Sequence, residues 1–314
     1  MISPQGIPVR LERSMLFAPA SRYSMIEKAA ASAADAVCLD LEDSVSVEEK
    51  VNSRANVIRA FKELDFGGGS RMFRMNGLDG PFAYRDLIEI VEAAGEHVDV
   101  IMIPKVNSRE DVVFVDTLLT QIESHTGLSV KIGLEAQIET AAGFLAVAEI
   151  ARSSMRLEAL AFGPGDYAAS LQMPSASIGE FDRYDEMYPG HRWHAVMHAI
   201  VAAARAHGLR CMDGPFAGHK DLAGFERSCQ VARAIGFDGK HCIHPNQVTA
   251  ANGLFSPGAE EVAHANEIVH AYEQAVGRKQ GAASLNGKMI DAASLRMAKV
   301  VLEKHRLTTG KTNG

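Results

Sequence analysis

The chain has 314 residues, of which 47% are hydrophobic and 23% charged, and its formal net charge is −7. That length suits one α/β barrel with an appendage, and the apolar share is ample for a large core. The acidic balance argues against a broad nucleic-acid face, which needs a basic surface. No apolar stretch reaches the roughly 18–20 residues of a membrane span. Residues 1–13 lack the apolar segment of a signal peptide. Cys38, Cys211, Cys229 and Cys242 form no C-x-x-C pair and no zinc-ligand spacing, so reduced thiols in a cytoplasmic protein are expected.

In chain order, short apolar runs alternate with stretches of helical spacing. Strands are expected at 14–19, 36–40, 71–76, 100–104, 131–137, 159–163, 209–212 and 240–244. Most end in Pro, Gly or a polar residue, as a strand entering its loop does. Helical spacing marks 23–33, 108–123, 141–151, 193–207 and 222–235. The alternation predicts a parallel sheet, and eight strands select a closed (β/α)8 TIM barrel over an open sheet. No G-x-G-x-x-G follows the first strand, which argues against a dinucleotide fold.

The barrel is expected to occupy residues 1–254, followed by a C-terminal helical extension over 255–314. Ser256 is the expected cap of the next helix, with Pro257 at its first position and Glu260 and Glu261 in its first turn. Val262, Ala265, Val269, Tyr272 and Val276 space an apolar stripe along it. Asn286-Gly287 predicts a tight turn between two extended pieces, and Asp291 an N-cap for a last helix. The extension is too small to bury much apolar surface alone. It is expected to pack on its own barrel or on a neighbouring subunit.

Functional residues of such a barrel lie just after its strands. The carboxylates found there are Asp40, Glu42, Asp43, Glu139, Asp166 and Asp213. Carboxylates so crowded repel unless basic side chains or a cation balance them. Arg22, Arg74 and Lys105 supply part of the balance, and a hard divalent ion would supply the rest. Mg²⁺ takes one or two carboxylates and keeps positions for water and substrate oxygens. Glu139 and Asp166, from adjacent strands, are the best pair. Structural roles stay open for each group. Asp40 to Asp43 would cap the following helix, Glu139 would face a helix dipole, and Asp166 would close a loop turn. Arg74 and Lys105 would be neutralising partners, and His244 before Pro245 would be structural.

Nine segments in order over nearly the whole chain resemble the citrate lyase β-subunit and malyl-CoA lyase family of the HpcH/HpaI aldolase superfamily. They are RSMLFAPASR (13–22), AADAVCLDLEDSV (33–45), RMNGLDGPFAYRD (74–86), DVIMIPKV (99–106), IETAAG (138–143), LAFGPGDYAAS (160–170), DGPF (213–216), GKHCIHPNQV (239–248) and NGKMIDAASLRMAKVV (286–301). The third, fourth and last look most like the malyl-CoA lyase branch.

The resemblance implies a Mg²⁺-dependent carbon–carbon lyase on a short 3-hydroxyacyl-CoA. Malyl-CoA would give acetyl-CoA and glyoxylate, with β-methylmalyl-CoA as a further substrate. It implies Mg²⁺ on Glu139 and Asp166, with Mn²⁺ as the alternative ion. It places coenzyme A near Phe17, Arg22, Lys28, Arg74, Gly165, Asp166, Ile243 and His244. It implies a homotrimer or homohexamer in which Asp291 of an adjacent chain completes the site. Arg74, Asp291, Glu42 and Asp43 are then the candidate catalytic residues, and Lys105 leaves a Schiff-base route open. Other readings are a malyl-CoA thioesterase, a citramalyl-CoA lyase, or a subunit of a citrate-lyase-type complex. The segment MPSASIGEFDRYDEMYPGHR, between Ser170 and Trp193, departs from the malyl-CoA lyase pattern and is shorter.

Overall fold

Eight parallel strands close into a barrel in sequence order. They are β1 (Ser14–Pro19), β2 (Ala36–Asp40), β3 (Ser70–Arg74), β4 (Val100–Ile103), β5 (Gly133–Ile138), β6 (Leu157–Phe162), β7 (Arg210–Asp213) and β8 (Gly239–Cys242). The computed structural model describes residues 8–175, 177–188 and 192–310. Residues 1–7 of the segment read above as lacking a leader, and parts of the 170–193 segment, lie outside the described residues. The chain divides into two compact units, Met1–Asn252 and Gly253–Gly314.

Helices α1 (Tyr23–Ala30), α2 (Lys50–Glu63), α3 (Ala83–Ala94) and α4 (Arg109–Thr126) follow the first four strands. After β5 come α5 (Ala141–Leu145) and α6 (Val147–Ala151). After β6 come α7 (Pro164–Ser170), α8 (Arg183–Met187) and α9 (His194–Ala206). Helix α10 (Leu222–Ile235) follows β7, and α11 (Pro245–Leu254) follows β8. Several boundaries differ from the sequence pattern, for local reasons. β3 stops at Arg74 because the Asn76 N–H turns to the Asp86 carboxylate, 2.9 Å away. β8 stops at Cys242 because the Ile243 N–H donates to Gln247 Oε1 at 2.9 Å. The helix expected over 141–151 breaks at Ala146, whose backbone (φ −95°, ψ 4°) leaves the helical region.

Strands β2, β4, β5 and β6 are buried at every position, as parallel strands under helices must be. Alternate residues fill the barrel interior: Met15, Ala36, Cys38, Met72, Val100, Met102, Ala161 and Met212, with Phe17 against them. All four cysteines are buried and free. The N-terminal mouth is closed by ion pairs. Arg10 bridges Glu158 (2.8 Å) and Asp99 (3.1 Å), Arg13 holds Asp35 (2.8 Å), and Arg210 holds Glu12 (2.8 Å) and Glu158 (2.9 Å). Among the described residues no helix is long and apolar enough to cross a membrane.

The second unit holds α12 (Ala259–Gly277), an antiparallel hairpin of β9 (Ala283–Leu285) and β10 (Lys288–Ile290), and α13 (Ala292–Gly310). The expected Ser256 cap is displaced: Gly258 is the N-cap, and Glu261 accepts its N–H at 2.7 Å. Asn286 and Gly287 both take left-handed backbone (φ 52° and 76°), as the tight hairpin turn requires. Asp291 Oδ1 accepts the N–H groups of Ala293 (2.9 Å) and Ser294 (3.0 Å) and so caps α13.

Candidate active site

Strand register assembles the C-terminal rim. Asp40 pairs with Arg74 across β2 and β3, and Arg74 with Met102 across β3 and β4. Arg74 forks onto Asp40, Nε to Oδ1 and Nη2 to Oδ2, both at 2.7 Å. Its Nη1 lies 3.3 Å from Glu42 Oε2, and its guanidinium sits 5.4 Å above the Phe17 ring. Asp40 also accepts the N–H groups of Glu42 (3.0 Å) and Ser44 (3.1 Å). It therefore folds its own turn and orients Arg74, and does not cap a helix. Burial alone would raise the Asp40 carboxyl, but Arg74 and these bonds hold it down to about 2.

Lys105 joins two walls of the rim. Its backbone is left-handed (φ 51°), a conformation that strains a side chain. This aims its N–H at Glu139 Oε1, 2.8 Å away. Its ammonium meets Glu42, Asp43 (3.1 Å) and, more distantly, Asp166 (3.9 Å). Burial works against its charge, yet Glu42 and Asp43 keep its pKa above the ordinary lysine value. The turn carrying Glu42 is pinned from below by Lys50, whose Nζ donates to the carbonyls of Leu41 (3.0 Å) and Glu42 (2.7 Å) and to Asn76 Oδ1 (2.6 Å). Asn76 is held by Asp86, and Asp86 by Arg54 at 2.7 Å.

Glu139 stands just beyond β5 and outside the first turn of α5, which Thr140 caps through the Gly143 N–H at 2.9 Å. Its second oxygen, Oε2, accepts from Gln137 Nε2 at 2.6 Å. Gly163 is required opposite it, because a Cβ there would collide with the Glu139 side chain. Burial pushes the Glu139 carboxyl up to about 8, Arg74 opposing and Asp166 assisting. Asp166 lies in the first turn of α7, not in a loop. Its carboxyl is also raised, first by burial and then by Asp43, against Lys105. Glu42 is raised by burial against Arg74.

The rim thus gathers five carboxyl groups, Asp40, Glu42, Asp43, Glu139 and Asp166, around two cations, Arg74 and Lys105. A carboxyl buried until it resists ionisation is stabilised when a cation joins it. Among the described residues no three His, Cys, Asp or Glu side chains form a metal cage. Two hard oxygen donors with open positions suit Mg²⁺, which favours one or two carboxylates. Glu139 and Asp166 fit that ion.

Each of the other expected groups has its own local setting. Arg22 and Lys28 are exposed at the start and in the last turn of α1. Gly165 is in α7 beside Asp166. Ile243 is exposed, and the His244 ring stacks on His219 at 5.0 Å with Nδ1 2.7 Å from Asn246 Oδ1. Asp213 leaves the acidic rim, because the buried Lys240 ammonium neutralises it. Asp291 belongs to the second unit; its capping bonds, led by that to Ser294, lower its carboxyl. Sequence reasoning missed Gln137, Lys50 and Asp86. Gln137 alone left a signal: a polar residue two before Glu139 in a strand buried throughout.

The segment after Asp166 is held by Arg192. It pairs with Asp182 (3.0 Å) and Asp185 (3.1 Å) and donates to the Pro174 carbonyl at 2.5 Å.

Residues 13–245 match the family model described as HpcH/HpaI aldolase/citrate lyase. The L-malyl-CoA/beta-methylmalyl-CoA lyase of Cereibacter sphaeroides is 43% identical over 303 residues, covering 95% of each chain. The malyl-CoA/beta-methylmalyl-CoA/citramalyl-CoA lyase of Chloroflexus aurantiacus is 34% identical over 97% of this chain and 91% of its own. Among solved structures, the protein CitE of Mycobacterium tuberculosis, in complex with magnesium, acetoacetate and coenzyme A, superposes with a TM-score of 0.74. It is 26% identical, over 94% of this chain and 98% of its own.

Proposed function

Because the chain belongs to the HpcH/HpaI aldolase/citrate lyase family, whose relatives are named as lyases, we propose that it is a Mg²⁺-dependent lyase cleaving malyl-CoA to acetyl-CoA and glyoxylate, with β-methylmalyl-CoA as a further substrate. The observation that carries this reading is Glu139, buried and doubly hydrogen-bonded amid an excess of carboxylates, with Asp166 on the next strand end. Glu139 and Asp166 would hold Mg²⁺. When bound, the ion supplies Lewis-acid polarisation of the 2-oxo acid oxygens and a template for them.

The chain's own groups do the rest. Cleavage removes the C3 hydroxyl proton, breaks the C2–C3 bond with its electron pair passing into the thioester as an enolate, and returns a proton to C2. Arg74, held rigid by Asp40, is permanently charged and stabilises the thioester oxygen as it gains charge. Lys105 holds Glu42 and Asp43 by ion pairs near the reacting centre. Arg22 and Lys28 meet the coenzyme A phosphates, and Phe17, Gly165, Ile243 and His244 line its path.

Asp291 from an adjacent subunit of a trimer or hexamer moves the C2 proton. Exposed Met289, Met297 and Val300 on the second unit support its meeting another chain. Four buried free thiols support a reducing cytoplasmic setting. The segment held by Arg192 sets acyl preference.

The test is purified protein with malyl-CoA and Mg²⁺, glyoxylate trapped with phenylhydrazine and free thiol followed separately. Glyoxylate without immediate thiol, abolished by EDTA, is expected. Thiol without glyoxylate would make the protein a thioesterase. Turnover of citramalyl-CoA in preference would move the substrate, and no product from any free CoA ester would point to a subunit of a larger complex.

A further inference from the structure

Of three polar side chains inside the barrel, Glu135 and His241 have no part in the chemistry above, and Gln137 enters it only through its bond to Glu139. Glu135 is 0%, His241 1% and Gln137 4% exposed. Four of their atoms, Glu135 Oε1 and Oε2, Gln137 Oε1 and His241 Nε2, have no hydrogen-bond partner among the protein groups. Native interiors satisfy nearly all such atoms, with protein or with ordered water making two to four bonds. Four orphans from two strands gathered in one barrel interior therefore mark a hydration site.

Their placement is directional. Residues 135, 137 and 139 alternate along β5 and beyond its end, so their side chains share one face. Gln137 Nε2 is committed to Glu139 Oε2, which leaves its Oε1 in need of a donor. Glu135 Oε1 and His241 Nε2 stand 3.8 Å apart. That is too long for a direct hydrogen bond and close enough for both to share one water.

We propose that an internal water joins Glu135, His241 and Gln137, and that Glu135 is a positioning residue which, through this water and the Gln137 amide, orients the Glu139 carboxylate. The inference rests on Glu139 being a metal ligand. Burial, and then Glu12, push the Glu135 carboxyl well above the usual range against the pull of Arg210, with Glu158 adding to the rise. Burial, Arg74 and Lys240 push His241 down to about 3. His241 is thus neutral at pH 7, and burial favours the protonated form of Glu135, which carries an O–H to donate. Donors then run one way, from Glu135 to water to Gln137 Oε1, and from Gln137 Nε2 to Glu139. A flipped Gln137 would set its carbonyl against the Glu139 carboxylate and turn its N–H groups to the water in place of an acceptor.

The test is calorimetric Mg²⁺ titration of the full chain, with thermal unfolding measured alongside. Glu135→Leu removes the donor and is expected to weaken Mg²⁺ binding about tenfold or more, without lowering Tm. Gln137→Met is expected to do the same, and serves if the leucine variant does not fold. Glu135→Gln keeps a neutral donor and is expected to stay within about twofold of wild type. Leucine and methionine variants that bind Mg²⁺ like wild type would overturn the proposal while leaving the metal reading intact. So would a glutamine variant as weak as the leucine one. Wild-type protein that binds no Mg²⁺ overturns both.

Discussion

The two ends of the barrel carry similar side chains and treat them differently. At the N-terminal mouth Arg10, Arg13, Arg71 and Arg210 face Glu12, Asp35, Asp99 and Glu158, four against four, and every group has an opposite partner. At the C-terminal rim five carboxyl groups face two cations, and one of them, Glu139, is buried until it resists ionisation. Balanced charge fixes a fold. Unbalanced charge at the open end of a barrel leaves a place for a ligand that completes it.

The comparison breaks most visibly at Glu139. Glu139→Ala should cost at least about 10⁴-fold in kcat with Mg²⁺, about 5.5 kcal/mol of transition-state stabilisation. It should leave urea unfolding in EDTA unchanged or shift it to higher midpoint, since a buried, poorly compensated carboxyl is lost. A stability loss matching the activity loss would make Glu139 structural. Arg210→Met at the other end should do the reverse. It strands Glu12 and leaves Glu158 to Arg10 alone, so unfolding free energy should drop by about 3–5 kcal/mol, while kcat of the folded protein stays within about twofold.

Between the two ends, His241 sharpens the contrast through pH. Its folded value of about 3 lies below its ordinary 6.5, so the unfolded chain takes up the proton first. Its contribution is complete above pH 6.5 and is lost as pH falls toward 3, at up to about 1.4 kcal/mol per pH unit. His241→Phe should flatten urea-unfolding stability between about pH 6 and pH 4 by that slope. Glu135, raised instead, loses its contribution as pH rises and should leave the alkaline side unaltered in that variant. The smallest effect is expected at the rim's edge. Arg192→Gln should raise KM for malyl-CoA about fivefold, about 1 kcal/mol, with kcat within about twofold. An unchanged KM would detach that segment from acyl binding.

The barrel was legible because its strands are short apolar runs between helical patterns, and the site because topology sends function to the strand ends. Glu139, Asp166, Arg74, Glu42 and Asp43 could be named on that rule alone. Partnerships could not. Arg10 and Glu158 are 148 residues apart, and nothing local in β7 says that Asp213 is cancelled by Lys240 on β8. The Ser256 cap failed because Ser256 and Gly258 compete for one helix start, and Glu261 reaches back to the glycine N–H. Lys105 looked like one more counter-charge, since a left-handed backbone at a lysine leaves no mark in sequence.

That lysine answers to its surroundings in two independent voices. Its peptide N–H serves Glu139, while its ammonium serves Glu42 and Asp43. Substitution to glycine would silence only the second and relieve the backbone; substitution to methionine would silence the second and keep the strain. Divergence among descendants of this chain should accordingly link the charges at 42, 43 and 105 as one co-varying set, with position 139 drifting, or holding still, on a separate account.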